Sequence, residues 1–249
     1  MPAVSFSGSR RDFLKSGATL SAGLCLPRWF IEETLAQAAP QPAKSPNDRP
    51  GILLVGCGGM GTGDASAASK FGNVIAVCDV DRNRLGEKAE KFKAEGKYTD
   101  FRDAIAHPGV DVVINATPDH WHTLVNLQAL RAGKDVYSEK PLTLTIAEGK
   151  KLVAVARETK RVLQTGSQQR SSPRFRLACE LVRNGRIGKL ERIVTILPTG
   201  LTGGPFAVKP VPAELDWNFW QGQTPETDYV PERCHMTFRF WYEYSGGTL

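Results

Sequence analysis

The sequence predicts an α/β fold with a doubly wound parallel sheet, and three observations predict it. Short apolar runs alternate with helix-length segments between residues 50 and 170. A glycine-rich turn joins the first run to the first helical segment. The second run ends on an acidic residue. Strands separated by helices pair in parallel and are covered on both faces, so they read as continuous apolar runs. The 249 residues allow one large or two modest domains, and 41% hydrophobic residues is ordinary for a folded chain.

The elements follow from the N-terminal side. Residues 39–49 carry Pro, Ser and Asn and read as a linker. Gly51-Ile52-Leu53-Leu54-Val55 is a buried strand. It runs into Gly56-Cys57-Gly58-Gly59-Met60-Gly61 and then a small-residue helix from Thr62 to Phe71. Asn73 to Cys78 is the second strand, ended by Asp79. Asp81 to Glu95 is a charged amphipathic helix, Asp100 to Ala106 a short one, and Val110 to Ala116 a strand. Thr117-Pro118-Asp119 starts a helix that runs through Leu130 and stops at Gly133. A strand at Asp135 to Ser138, a helix at Thr145 to Glu158 and a strand at Arg161 to Thr165 complete the alternation.

A lone G-x-G-x-x-G is a weak signal. Here it lies between a strand and a helix, and Asp79 follows Gly56 by 79 − 56 = 23 residues. That context is the dinucleotide fingerprint. Gly56 permits the tight turn, Gly58 lets backbone approach a pyrophosphate, and Gly61 lets the helix pack on the strand. Gly59 and Met60 stand in the same turn as candidate cofactor contacts, and the N-terminus of the helix that follows supplies amide donors and positive potential for phosphates. Asp79 accepts the ribose hydroxyls and repels a 2′-phosphate, which favours NAD, while nearby Arg82 leaves NADP open.

The net charge of +6 comes from 32 basic and 26 acidic residues. The two signs interleave, as in Glu87-Lys88-Ala89-Glu90-Lys91, which is a solvated helix face and not a nucleic-acid groove. No run of eighteen uncharged apolar residues is present to span a bilayer. The five cysteines, at 25, 57, 78, 179 and 234, form no C-x-x-C pair and read as small buried hydrophobes. Ser9-Arg10-Arg11-Asp12-Phe13-Leu14-Lys15, a mildly apolar run and Ala36-Gln37-Ala38 resemble a twin-arginine export signal over residues 1–38. That resemblance implies periplasmic export of a folded protein through the twin-arginine machinery.

Two further motifs stand after the glycine turn, Thr117-Pro118-Asp119-His120-Trp121-His122 and Glu139-Lys140-Pro141. In this order and spacing the chain from residue 50 resembles the Gfo/Idh/MocA oxidoreductase family. The resemblance implies an NAD(P)-binding Rossmann domain over residues 50–170. It also implies an incomplete substrate-binding α/β domain over residues 171–249, part of an α+β unit with an open antiparallel sheet. It implies that Thr117, Pro118 and His122 line the dinucleotide, that Glu139 and Lys140 lie near the nicotinamide ribose and the substrate hydroxyl, and that the Lys140–Pro141 bond is cis. Gln168 matches a position that also approaches the nicotinamide. His120-x-His122 at a helix start points to different faces, so no metal pair is expected.

In the second half, Pro173 to Asn184 reads as a helix and Lys189 to Leu197 as a strand that opens the antiparallel sheet. Residues 215–220 and 238–244 are aromatic-rich and suit either a core or sugar rings. Arg239 and Tyr242 are the candidate substrate contacts. The family pattern has an Asp-x-x-x-His after a glycine pair like Gly246-Gly247, and the chain is therefore expected to be a fragment ending before it. The implied activity is hydride transfer between NAD and a hydroxyl-bearing carbon of a sugar, polyol or cyclitol, with Lys140 as acid–base group and a homo-oligomer as the full-length state. The alternatives are a redox-assisted glycosidase of the same family and a non-catalytic nucleotide-binding fragment.

Overall fold

The computed structural model describes residues 49–197, 200 and 203–247. The twin-arginine segment, Ala36-Gln37-Ala38 and Cys25 lie outside the described residues. Six strands form one sheet: β1 Gly51–Val55, β2 Asn73–Cys78, β3 Gly96–Tyr98, β4 Val110–Asn115, β5 Asp135–Glu139 and β6 Leu163–Gly166. The helices between them are α1 Gly59–Ala68, α2 Arg82–Phe92, α3 Phe101–Ile105, α4 Asp119–Arg131 and α5 Ile146–Thr159. The order is β3-β2-β1-β4-β5-β6 and every pairing is parallel. This is the doubly wound order, with its reversal between β1 and β4.

All five residues of β1 are buried because it has a strand on either side and helices on both faces. Leu53 and Val55 point to a core that contains Ile105 of α3, Val125 and Leu130 of α4, and Leu152 and Val155 of α5. Ile52 and Leu54 point to the other face, against Ala65 of α1 and Leu85 and Ala89 of α2. The period of two in a strand sends alternate side chains to opposite layers.

Side chains close most helix starts. The carboxylate of Asp81 accepts from Asn83 and Arg84 amides, and that of Asp100 from Arg102. Thr145 and Glu148 form a reciprocal capping box. α1 is the exception in this part of the chain with α4, since neither has a side-chain cap.

Three expectations differ from the structure. The sequence reading omitted β3, whose three residues are too few to show an alternation. Residues 189–197 form no strand, and Ile193 and Ile196 are exposed; among the described residues no neighbouring strand pairs with them, and an unpaired strand satisfies none of its backbone groups. The only antiparallel pairing among the described residues is one bridge between Asp81 and Leu215. Cys57, Cys78 and Cys234 are buried, but Cys179 is exposed on α6, Pro173–Arg183, an amphipathic helix with no buried residue.

From residue 214 onward the second half nevertheless docks at the ends of the strands. Arg82 and Asp216 amides bond to the Glu214 and Val80 carbonyls across the bridge at Leu215. This places α7, Trp217–Gln221, and the turn His235–Phe240 near the carboxyl ends of the strands. Trp217, Trp220, Tyr229, Phe238 and Tyr244 form a third core there, and Trp220 and Phe238 also reach the cleft.

Candidate active site

One cleft opens where the strand order reverses, outside the carboxyl ends of β1 and β4. Its cavity volume is about 200 Å³, and its walls include Gly56, Gly58, Gly59, Met60, Asp79, Thr117, Pro118, His122, Glu139, Lys140 and Arg239. These residues come from five separate stretches of sequence. Ligands of doubly wound sheets sit at this position.

The glycine turn is shaped by close backbone approach. Gly56 has φ +92°, and a Cβ there would lie 2.5 Å from the Ala116 carbonyl oxygen. Gly61 faces away from the cleft, and a Cβ on it would meet the Gly56 carbonyl oxygen and lie 2.9 Å from Ala116 Cβ. Its role is the packing of α1 on β1. The first amides of α1 have no intrahelical acceptor, and no side chain caps them. That end of the helix therefore fits an anionic group, and a pyrophosphate in particular.

Asp79 is half-buried at the end of β2 and does two things. Its carboxylate accepts from the Cys57 amide at 2.7 Å and from the Asp81 amide at 2.9 Å, which braces the glycine turn. It also lines the cleft. Burial pushes its carboxyl up, and the two amides pull it back. Arg84 lies over Gly58 and pairs with Asp81 at 3.4 Å. Arg82, the arginine singled out by sequence position, is exposed and reaches the Ala213 carbonyl instead.

The loops after β4 and β5 make the opposite wall. Asn115, fully buried, holds the Thr117 hydroxyl and amide with its Oδ1 and donates to Asn126 at 2.8 Å. His122 is 1% exposed, with Nδ1 2.5 Å from the Pro141 carbonyl oxygen and Nε2 2.8 Å from that of Thr117. The Lys140–Pro141 bond is cis. Lys140 is exposed on the cleft wall, flanked by the charges of Glu139 and Asp119. Burial, and then the charge of Asp64, push the Glu139 carboxyl up. Asp119 is 7% exposed, and its carboxylate accepts from the Ser245 hydroxyl at 2.6 Å. Burial pushes it up, against Ser245 and the charges of His122, Arg239 and Lys140.

Two predicted contacts lie elsewhere. Gln168 is exposed on a short 3-10 turn beyond β6, the edge strand farthest from the glycine turn on that side. Tyr242 is 96% exposed and does not reach the cleft. Sequence reasoning missed Arg84, Phe101, Trp121, Phe219 and His235, which all line the cleft. Trp121 and Phe219 meet edge to face at 5.3 Å. The Trp121 indole and His120 Nε2 both converge on the Trp220 carbonyl at 2.9 Å. The aromatic density of residues 215–220 was the available signal, but not its destination. The two histidines do not converge, because each is engaged by carbonyls on a different side of α4.

Comparison with known proteins adds the following. The family model for an oxidoreductase family with an NAD-binding Rossmann fold, Gfo/Idh/MocA, matches residues 51–167, and the model for that family's C-terminal alpha/beta domain matches residues 200–249. Myo-inositol 2-dehydrogenase of Thermotoga maritima is 32% identical over 140 residues, covering 55% of this chain and 42% of that protein. A glycosyl hydrolase family 109 protein of Shewanella pealeana is 26% identical over 203 residues, covering 73% of this chain and 44% of that protein. The crystal structure of myo-inositol 2-dehydrogenase from Lactobacillus plantarum matches with a TM-score of 0.53 at 27% identity, covering 57% of this chain and 43% of that one. The matched region spans less than half the length of these relatives.

Proposed function

Because the chain belongs to the Gfo/Idh/MocA oxidoreductase family, we propose that it transfers a hydride between NAD and a hydroxyl-bearing carbon of a sugar, polyol or cyclitol. One observation carries the reading. The uncapped start of α1 and the Asp79 carboxylate share a single cleft with Glu139 and Lys140. The first pair suits a dinucleotide, and the second places a cation at the facing wall. When bound, the nicotinamide ring supplies hydride acceptance and donation. The amides of α1 hold phosphate, and Asp79 accepts from ribose hydroxyls, so its charge favours NAD over NADP. Lys140 Nζ takes or returns the proton of the substrate hydroxyl. Arg239, on the turn from the second half, orients the substrate's oxygens.

The binding test uses the purified chain, and the turnover test the full-length protein. Calorimetric titration should show NAD binding tighter than NADP, and incubation of the full-length protein with a panel of sugars, polyols and cyclitols should produce NADH with at least one. No binding of either nucleotide would overturn the reading. A redox-assisted glycosidase is the second reading, favoured by the longer match to the glycosyl hydrolase family 109 protein. Net release of a sugar from a glycoside with no net NADH would select it.

The N-terminal segment Ser9-Arg10-Arg11-Asp12-Phe13-Leu14-Lys15 supports a further part of this reading, export by the twin-arginine machinery to the periplasm. Lysine at both Arg10 and Arg11 should retain the protein in the cytoplasm, and an unchanged periplasmic yield would dismiss it.

A further inference from the structure

His122 is held in an arrangement that a neutral ring cannot satisfy. Its two ring nitrogens lie 2.5 Å and 2.8 Å from the carbonyl oxygens of Pro141 and Thr117. A carbonyl oxygen only accepts, and a neutral imidazole has a single N–H, so one nitrogen would turn a lone pair onto an oxygen. With the residue 1% exposed, water does not relieve that contact. The imidazolium, with two N–H groups, satisfies both.

The surroundings suit such a cation. Asp119, one helical turn earlier on α4, is 7% exposed and interacts electrostatically with His122. The other charged or titratable groups facing this cluster are Lys140 from the loop after β5, Arg239 from the turn His235–Phe240, and His120 from α4. Burial pushes the His120 ring down to about 4, so it is neutral and adds no second buried charge at pH 7. The backbone of His122 is fixed as well. Its carbonyl accepts from Asn115 at 3.1 Å, and Asn115 is tied through Asn126 to the Ser138 hydroxyl.

We propose that His122 is a doubly protonated clamp, with Asp119 as its counterion, that ties the Thr117 loop to Pro141 and thereby positions Lys140. Thr117 belongs to the loop after β4 and Pro141 to the loop after β5, so one ring spans both walls of motif residues. Lys140 is then held between the buried end of β5 at Glu139 and the clamped carbonyl of Pro141. His122 is on this account a positioning residue. The importance of Lys140 for turnover rests on the reading given above, but the clamp itself does not.

The experiment is nuclear magnetic resonance on the full chain with ¹⁵N-labelled histidine and backbone. At pH 7 the His122 ring should show two protonated nitrogens, with both protons slow to exchange. On raising the pH, the backbone amide of Lys140 should shift with the same midpoint as the His122 ring. Asp119→Asn should lower the doubly protonated fraction of His122 at pH 7. A His122 ring with one protonated nitrogen at pH 7 overturns the clamp. A Lys140 amide that ignores the His122 transition overturns the positioning role, even where the ring is doubly protonated. These readings need no turnover. In an active preparation, His122→Asn should lower kcat by about 10²-fold, the scale of a small misplacement of a reacting group, with a smaller change in NAD affinity.

Discussion

Replacing Asp79 separates two roles that one carboxylate combines. Its oxygens accept from the Cys57 and Asp81 amides at 2.7 and 2.9 Å. Hydrogen bonds to a charged group contribute about 1.5–3 kcal/mol each. Burial pushes the carboxyl up, so removing the charge also returns a desolvation cost. The net loss for Asp79→Ala is about 2–4 kcal/mol. At about 2–4 °C per kcal/mol for a domain of this size, Tm falls by roughly 10 °C. Asp79→Asn keeps one acceptor oxygen, so its Tm falls by about half as much. The ribose role behaves differently. Both variants lose the charge that repels a 2′-phosphate, so both narrow the gap between NAD and NADP to a similar extent. Thermal unfolding and paired calorimetric titrations read the two effects separately. A Tm of Asp79→Ala within a degree of the parent would refute the brace. An unaltered ratio of NAD to NADP affinity would refute the ribose assignment.

Lys140→Met should leave Tm nearly unchanged, since the side chain is exposed, while turnover of the full-length protein falls by about 10²- to 10⁴-fold; equal losses of NAD affinity and turnover would make Lys140 a cofactor residue instead. Gly56→Ala forces a side chain at φ +92° into the Ala116 carbonyl, so stability should fall by more than about 1–3 kcal/mol and NAD affinity with it, as read by urea unfolding and titration. His120 is held down to about 4 by burial, below its ordinary 6.5. The unfolded chain therefore takes up the proton first, and the stability this residue contributes is complete above pH 6.5 and lost between 6.5 and 4. The shift corresponds to about 3 kcal/mol, and His120→Gln should flatten that limb of the urea-unfolding profile; an unchanged limb would place the proton uptake elsewhere.

The Rossmann half was legible because its signals are local. β1 reads as a strand since both its neighbours and both its faces exclude water, and that requires a continuous apolar run. The start of α1 reads as a phosphate site because glycine spacing encodes a turn, and Asp79 reads as its partner because it ends the next strand. β3 was not legible, since three residues carry no period. The stretch Lys189 to Leu197 shows the reverse failure. Its alternation is a fair strand pattern, but alternation says only which face a side chain takes, and pairing must come from a neighbour. Among the described residues none lies beside it, so Ile193 and Ile196 stay exposed.

The candidate site divides along the same line. The motif residues Gly56, Gly58, Gly59, Met60, Asp79, Thr117, Pro118, His122, Glu139 and Lys140 lie in one cleft because each motif follows the carboxyl end of a strand. Residues brought by the long connection were not legible one by one. Arg239 reaches the cleft while Tyr242, three residues later, is 96% exposed. Both lie in one aromatic stretch, and its composition is the same for either outcome. What decides between them is the anchor: Leu215 bridges Asp81, and Trp220 receives the indole of Trp121 and the ring of His120. Those contacts fix the turn His235–Phe240 against the cleft and leave Tyr242 on the outside. The same logic explains Arg84 and Arg82. They are two residues apart on α2, so about 200° of helix separates them. Arg84 therefore faces Gly58 and the cleft, while Arg82 faces the Ala213 carbonyl. Choosing between two nearby arginines requires the phase of the helix, and the phase is set by its cap at Asp81.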